Sequence, residues 1–165
     1  MDAKQYFQDF LPGHTCFGCG SQNSHGLGIR SYWDGEIAAC EWQPQPYHVG
    51  WAGLTCGGII ATLVDCHCIG TAMATALRNE GSALGSEPRY LFVTGSLQVK
   101  YLKPAENALP LRLEAQVQSI KLDKKYTVQC RVLSQNTLVA EGDVVALLVY
   151  RSDRPTEGNP IFVPK

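Results

Sequence analysis

The chain has 165 residues, which is one ordinary domain with room for a single sizeable core. Apolar residues make up 45% and charged residues 18%, a balance that excludes disordered and fibrous classes. A formal net charge of -1 offers no attractive field for nucleic acid or anionic lipid, so an anionic ligand has to be met by local basic residues.

In chain order, Asp2 to Phe10 is polar and mixed in charge, has no apolar h-region, and predicts a short helix stopping at Pro12-Gly13. A cytoplasmic address without membrane attachment is the expectation. A Gly- and Cys-rich loop follows from Gly13 to Gly26. Leu27 to Trp33 and Glu36 to Gln43 read as two strands joined by a turn at Asp34-Gly35, where both central positions tolerate positive φ.

Gly57 to Leu77 is apolar on nearly every side, rich in alanine and free of proline, which predicts a helix buried all round. Asp65, His67 and several threonines make it a poor membrane span. After it, Leu97, Val99 and Tyr101 alternate with Ser96, Gln98 and Lys100. Leu111 to Gln118 and Tyr126 to Val132 also alternate, and Thr137 to Tyr150 is a last long strand after Gln135-Asn136. Period-two patterning of this kind marks antiparallel strands with one covered face. Two strands, one long buried helix and four strands make an α+β domain in which a curved antiparallel sheet wraps the helix.

The seven cysteines are odd in number and scattered through apolar patterns, as expected of reduced thiols that mostly serve as small core residues. Cys16-x-x-Cys19 with His14 or His25 is half a zinc pattern, but a second pair of ligands at regular spacing is missing. Cys66 and Cys68, two apart on a helix, point in different directions and make a poor chelate. No metal and no cofactor is expected.

The run from His48 through Cys56-Gly57-Gly58 to Val64-Asp65 resembles the signature of PaaI-type acyl-CoA thioesterases: a Gly-x-x-His-Gly-Gly loop, an aliphatic stretch, then a helix acid. Tyr101-Leu102-Lys103-Pro104-Ala105 resembles that family's aromatic-x-x-Pro-Ala strand end. Cys16-Phe17-Gly18-Cys19-Gly20 with Asn23, Gly26 and Leu27 occurs in a subgroup of it. The likeness spans residues 16 to 150 and has two departures. The family histidine before the glycine pair is Cys56 here, and the asparagine or glutamine some members carry six residues earlier is Gly50. The resemblance implies a hotdog fold over 1–165, with a 16–150 core, a 1–15 extension and a 151–165 tail. It also implies thioester hydrolysis of acyl-CoA, or of acyl-carrier protein, by a homodimer or tetramer.

Such hydrolysis needs a polarised carbonyl, an activated water or nucleophile, and a place for the oxyanion. The Gly57 N–H at a helix N-terminus is the candidate oxyanion donor, with Gly58 allowing close approach. The same glycines would also serve tight packing alone. Asp65 is the only acid between residues 57 and 77 and the candidate base or nucleophile; its bland role would be to cap a backbone group.

Gly57 and Asp65 lie about 12 Å apart along one helix, so one thioester carbon hardly reaches both from one chain. Two antiparallel helices in a dimer would bring them together. By resemblance Thr94 orients the attacking water, although threonine is also simply a good strand former. Cys56 and His48 are candidate substrate contacts, against packing and solvation respectively. Lys100 and Lys103 are candidates for the CoA phosphates. A non-catalytic acyl-CoA-binding hotdog protein is the second reading, and a dehydratase the third.

Overall fold

The computed structural model describes residues 4–11 and 14–154. Eight strands and one helix follow in the order β1 (Ser31–Asp34), β2 (Ile37–Trp42), β3 (Val49–Trp51), β4 (Leu54–Thr55), α1 (Gly57–Asn79), β5 (Tyr90–Tyr101), β6 (Leu111–Lys121), β7 (Lys125–Ser134) and β8 (Thr137–Arg151). Six strands form one antiparallel sheet in the order β1-β2-β6-β7-β8-β5, and β3 and β4 form a separate hairpin. The helix lies across the face of this sheet, the hotdog arrangement that the element order predicts.

Alternation decides which face meets α1. Leu111, Leu113 and Ala115 on β6, Tyr126, Val128, Cys130 and Val132 on β7, and Ala140, Val144 and Ala146 on β8 are all buried. Their partners in sequence are turned outward. Beneath the helix the β8 residues are small, and Gly142 is the extreme case: a Cβ there would stand 2.3 Å from Val64 Cγ1. Close helix–sheet contact at this point requires glycine. By length and composition α1 could cross a membrane, but 67% of its most apolar window is buried inside the domain, as expected of a core helix.

Local differences from the sequence expectation have physical reasons. The first hairpin turns one residue later than expected, because Asp34 pairs with Ile37 and the two-residue loop is Gly35-Glu36. Gly35 takes the positive φ of 62°. Residues 27–30 are not strand. The Leu27 and Ile29 N–H groups donate instead to the Phe17 and Gly18 carbonyls of the preceding loop.

The N-terminal helix is a single 3-10 turn, Phe7–Phe10, and Phe7 is fully buried against the core. Gln8 Oε1 accepts from Ser31 N–H, and Gln8 Nε2 donates to Ser31 Oγ. The Ser31 hydroxyl meets His67 Nδ1 at 2.8 Å, while His67 Nε2 lies 3.1 Å from the Ala38 carbonyl. A carbonyl only accepts, so Nε2 carries the proton and Nδ1 accepts from Ser31. Burial pushes the fully enclosed His67 down to about 4, so the imidazole is neutral and tied to structure, not to Asp65 chemistry. The 151–165 tail lies, from residue 155 on, outside the described residues.

Candidate active site

Cys56 precedes the helix in an extended conformation with no side-chain cap, which leaves the first-turn N–H groups without a partner from that side chain. The Cys56 N–H donates to the His48 carbonyl at 2.9 Å, and a Cβ on Gly50 would come within 3.0 Å of Cys56 Cα. The two departures from the family pattern therefore meet across the β3–β4 hairpin: the chain at Cys56 presses close to a residue that carries no side chain.

His48 is committed elsewhere. Its ring stacks on Trp42 at 5.0 Å, and its Nδ1 accepts from the Gln45 N–H at 3.0 Å. Burial lowers its basicity.

Asp65 lies two turns into α1, half-buried, between the buried Val64 and Cys66 in sequence. The Thr94 hydroxyl donates to Asp65 Oδ1 at 2.5 Å, the length of a charge-assisted bond. The sequence pair Asp65 and Thr94 is thus brought together.

The device that does this is a β-bulge in β5. Thr94 pairs with Ala146 and Ser96 with Val145, which leaves Gly95 unpaired between them. Before the bulge the even-numbered Tyr90, Phe92 and Thr94 share the helix-facing side; after it the odd-numbered residues do. Tyr101 consequently sits over the helix start and donates from its hydroxyl to the Gly57 carbonyl at 2.6 Å. Burial and then the nearby Cys56 raise its phenol above the usual range.

Tyr101 was not among the residues that sequence reasoning singled out for the site. Its place at the odd-numbered end of a strand whose alternation breaks at Gly95 is the signal that would have found it. Lys100 stands on the other face, in register with Glu141, and Lys103 follows the strand end, exposed. Neither shares the helix-facing side with Thr94. Gly58 is exposed on the first turn, and its carbonyl accepts from the Thr62 hydroxyl.

One chain therefore presents two separate parts: a bare helix start under Tyr101, and a carboxylate braced by Thr94 two turns on. The edge strand β5 runs past both.

A long helix on a six-stranded antiparallel sheet, with one braced carboxylate, defines a hotdog-fold protein of the thioesterase kind. The chain belongs to the thioesterase superfamily. It is 34% identical to a thioesterase superfamily protein from Shewanella loihica PV-4, over 76% of this chain and 94% of that one, with a TM-score of 0.59. The fold is the PaaI-type hotdog: the PaaI protein of the E. coli phenylacetic acid degradation operon superposes with a TM-score of 0.61 at 15% identity, covering 75% and 81% of the two chains. A Streptococcus mutans protein solved with acetyl-CoA bound superposes at 0.57 and 15% identity, covering 73% and 87%. No protein-family model matches the chain, and no curated protein does.

Proposed function

We propose that this protein is an acyl-CoA thioesterase that works as a homodimer, or as a tetramer of such pairs, in the cytoplasm. The observation that carries the reading is the Asp65 carboxylate, half-open and braced by Thr94 at 2.5 Å, on a helix whose bare N-terminus begins at Gly57.

In this reading the acyl carbonyl lies against the Gly57 N–H of one subunit, and Asp65 of the other takes the proton of an attacking water, or attacks directly to give an acyl–Asp65 anhydride that water then hydrolyses. Thr94 fixes the carboxylate's orientation. As the tetrahedral oxyanion forms, the helix N-terminus stabilises it, and its collapse expels CoA as a thiol once the sulfur is protonated. The Gly57–Asp65 separation of about 12 Å along one helix is the reason for two subunits. The β5 edge offers the pairing surface: a 12-residue strand with no neighbouring strand on its outer side among the described residues, and with Leu97 and Tyr101 exposed. CoA is the favoured carrier, because the S. mutans fold neighbour holds acetyl-CoA. Lys100 lies in that edge strand and Lys103 just beyond its end, and both are assigned to the CoA phosphates.

The test is release of CoA thiol from a panel of short, long and aromatic acyl-CoAs by wild type and by Asp65→Asn. The substitution is isosteric and should lower turnover by about 10²–10⁴-fold, the usual contribution of a positioned base, with the oligomer intact. Turnover equal to wild type in Asp65→Asn would sink the assignment. Calorimetric binding of acyl-CoA with no thiol release from wild type would instead establish the non-catalytic binder, for which the Cys56 and Gly50 replacements speak.

A further inference from the structure

The loop before β1 brings His14, Cys16 and Cys19 together so that one ligand atom from each lies within 4.8 Å of the others. His14 Nε2 is 3.1 Å from Cys19 Sγ. A fourth donor comes from far away in the chain. Cys66 on α1, 50 residues after Cys16, places its Sγ 3.6 Å from Cys16 Sγ and also makes a side-chain contact with Cys19. Two of the three loop ligands, Cys16 and Cys19, thus also contact a third sulfur supplied by the helix.

The spacing fits a known geometry. Zinc holds thiolates at about 2.3 Å, and a tetrahedron of that size separates two sulfurs by about 3.8 Å. The Cys16–Cys66 distance already stands near that value.

The backbone is built to make this approach. A Cβ on Gly18 would fall 2.3 Å from Cys66 Sγ, and a Cβ on Gly20 would fall 2.5 Å from the Cys16 backbone. Only glycine lets the loop lie on the helix here and turn this tightly. The loop is also fixed by main-chain bonds: Gly20 N–H to Cys16 O, Gln22 N–H to His14 O, Leu27 N–H to Phe17 O and Ile29 N–H to Gly18 O. A packing role alone does not ask for this convergence. Cys40 and Cys130 are fully buried in the core, and Cys68 is buried on the helix against Cys130.

We propose that His14, Cys16, Cys19 and Cys66 form a structural zinc site that pins the N-terminal loop to α1 next to Asp65. On binding, the three thiols release three protons, His14 gives the lone pair of neutral Nε2, and the resulting centre carries a net charge of −1. Four protein ligands fill the tetrahedron and leave no open position, so the metal is structural rather than catalytic. Three sulfurs and one imidazole select zinc over magnesium or calcium, which prefer oxygen. The absence of a second regularly spaced pair, which led the sequence to predict no metal, is answered by a ligand supplied singly from the helix.

The test is the metal content of the reduced full-length protein purified without chelators, with cobalt(II) uptake by the stripped wild type as a second measurement that needs no variant. About one zinc per chain is expected, with thiolate-to-cobalt charge-transfer bands and the intense visible bands of a tetrahedral ion. Cys66→Ser and Cys19→Ser should each lose the metal, and His25→Ala on the same loop should keep it. Metal-free wild type that takes up no cobalt would overturn the proposal. So would a Cys66→Ser protein with its zinc undiminished.

Discussion

Replacing Gly142 with alanine sets two effects against each other, and the structure decides the sign. Glycine inside a strand is unfavourable by roughly 0.5–1 kcal/mol relative to alanine, so alanine should stabilise wherever it has room. Here it has none: the added carbon would stand 2.3 Å from Val64 Cγ1, roughly 1.2–1.7 Å inside a normal carbon–carbon contact.

Val64 is fully buried and β-branched, and such a side chain on a helix holds one strongly preferred rotamer, so its methyl cannot swing aside cheaply. Either α1 lifts or β8 bends, and overpacking of this kind costs about 1–3 kcal/mol. The net expectation for Gly142→Ala is a loss of up to about 2.5 kcal/mol in urea unfolding after the strand preference is subtracted. Shortening the opposing side chain should restore part of it, so the Gly142→Ala/Val64→Ala pair should be less destabilised than the sum of the singles by at least about 0.5 kcal/mol. An increase in stability for Gly142→Ala, or strict additivity of the pair, would refute the reasoning. Because Val64 precedes Asp65, the displacement should also reach the carboxylate.

Two further outcomes follow from single hydrogen bonds. Thr94→Val keeps the shape of the side chain but removes the donor to Asp65; thiol release should fall by about 10-fold or more while Thr94→Ser retains it, and a valine variant as fast as wild type would remove Thr94 from the site. Ser31→Ala strips His67 Nδ1 and Gln8 Nε2 of a partner inside the core, at an expected cost of about 1–3 kcal/mol, and an unchanged urea midpoint would contradict the hydrogen-bond assignment.

The layered plan was legible because it is written in local periodicity. Leu111 to Ala115 and Tyr126 to Val132 alternate without interruption, and a 23-residue helix that is apolar all round can only be enclosed. Asp65 stood out for the same reason, as a lone acid in that helix. Contacts between remote parts of the chain were not legible. Cys66 looked like one of several small core residues until the loop placed Cys16 and Cys19 on it. The failure of residues 27–30 to become strand depended on carbonyls of Phe17 and Gly18 that no local pattern announces. Within β5 the clue was local but small: one glycine between Thr94 and Ser96, which separates two stretches of opposite parity.

That glycine makes β5 a strand read in two frames. Its first half addresses the helix with even positions and its second half with odd ones, and the change of frame needs one residue of chain rather than any particular side chain. Removing the unpaired residue would leave Thr94 opposite Ala146 and Ser96 opposite Val145 in an unbroken ladder, with Leu97, Val99 and Tyr101 still on the helix side. One residue added or lost in the regular stretch just after Leu97 would instead act as a frameshift in space, swinging Lys100 onto the helix and turning Tyr101 out to solvent. Substitutions around Thr94 would be graded in their effect, whereas such a shift after Leu97 would be all-or-none. The chain length from Leu97 to Tyr101, more than its composition, keeps Tyr101 over the helix start.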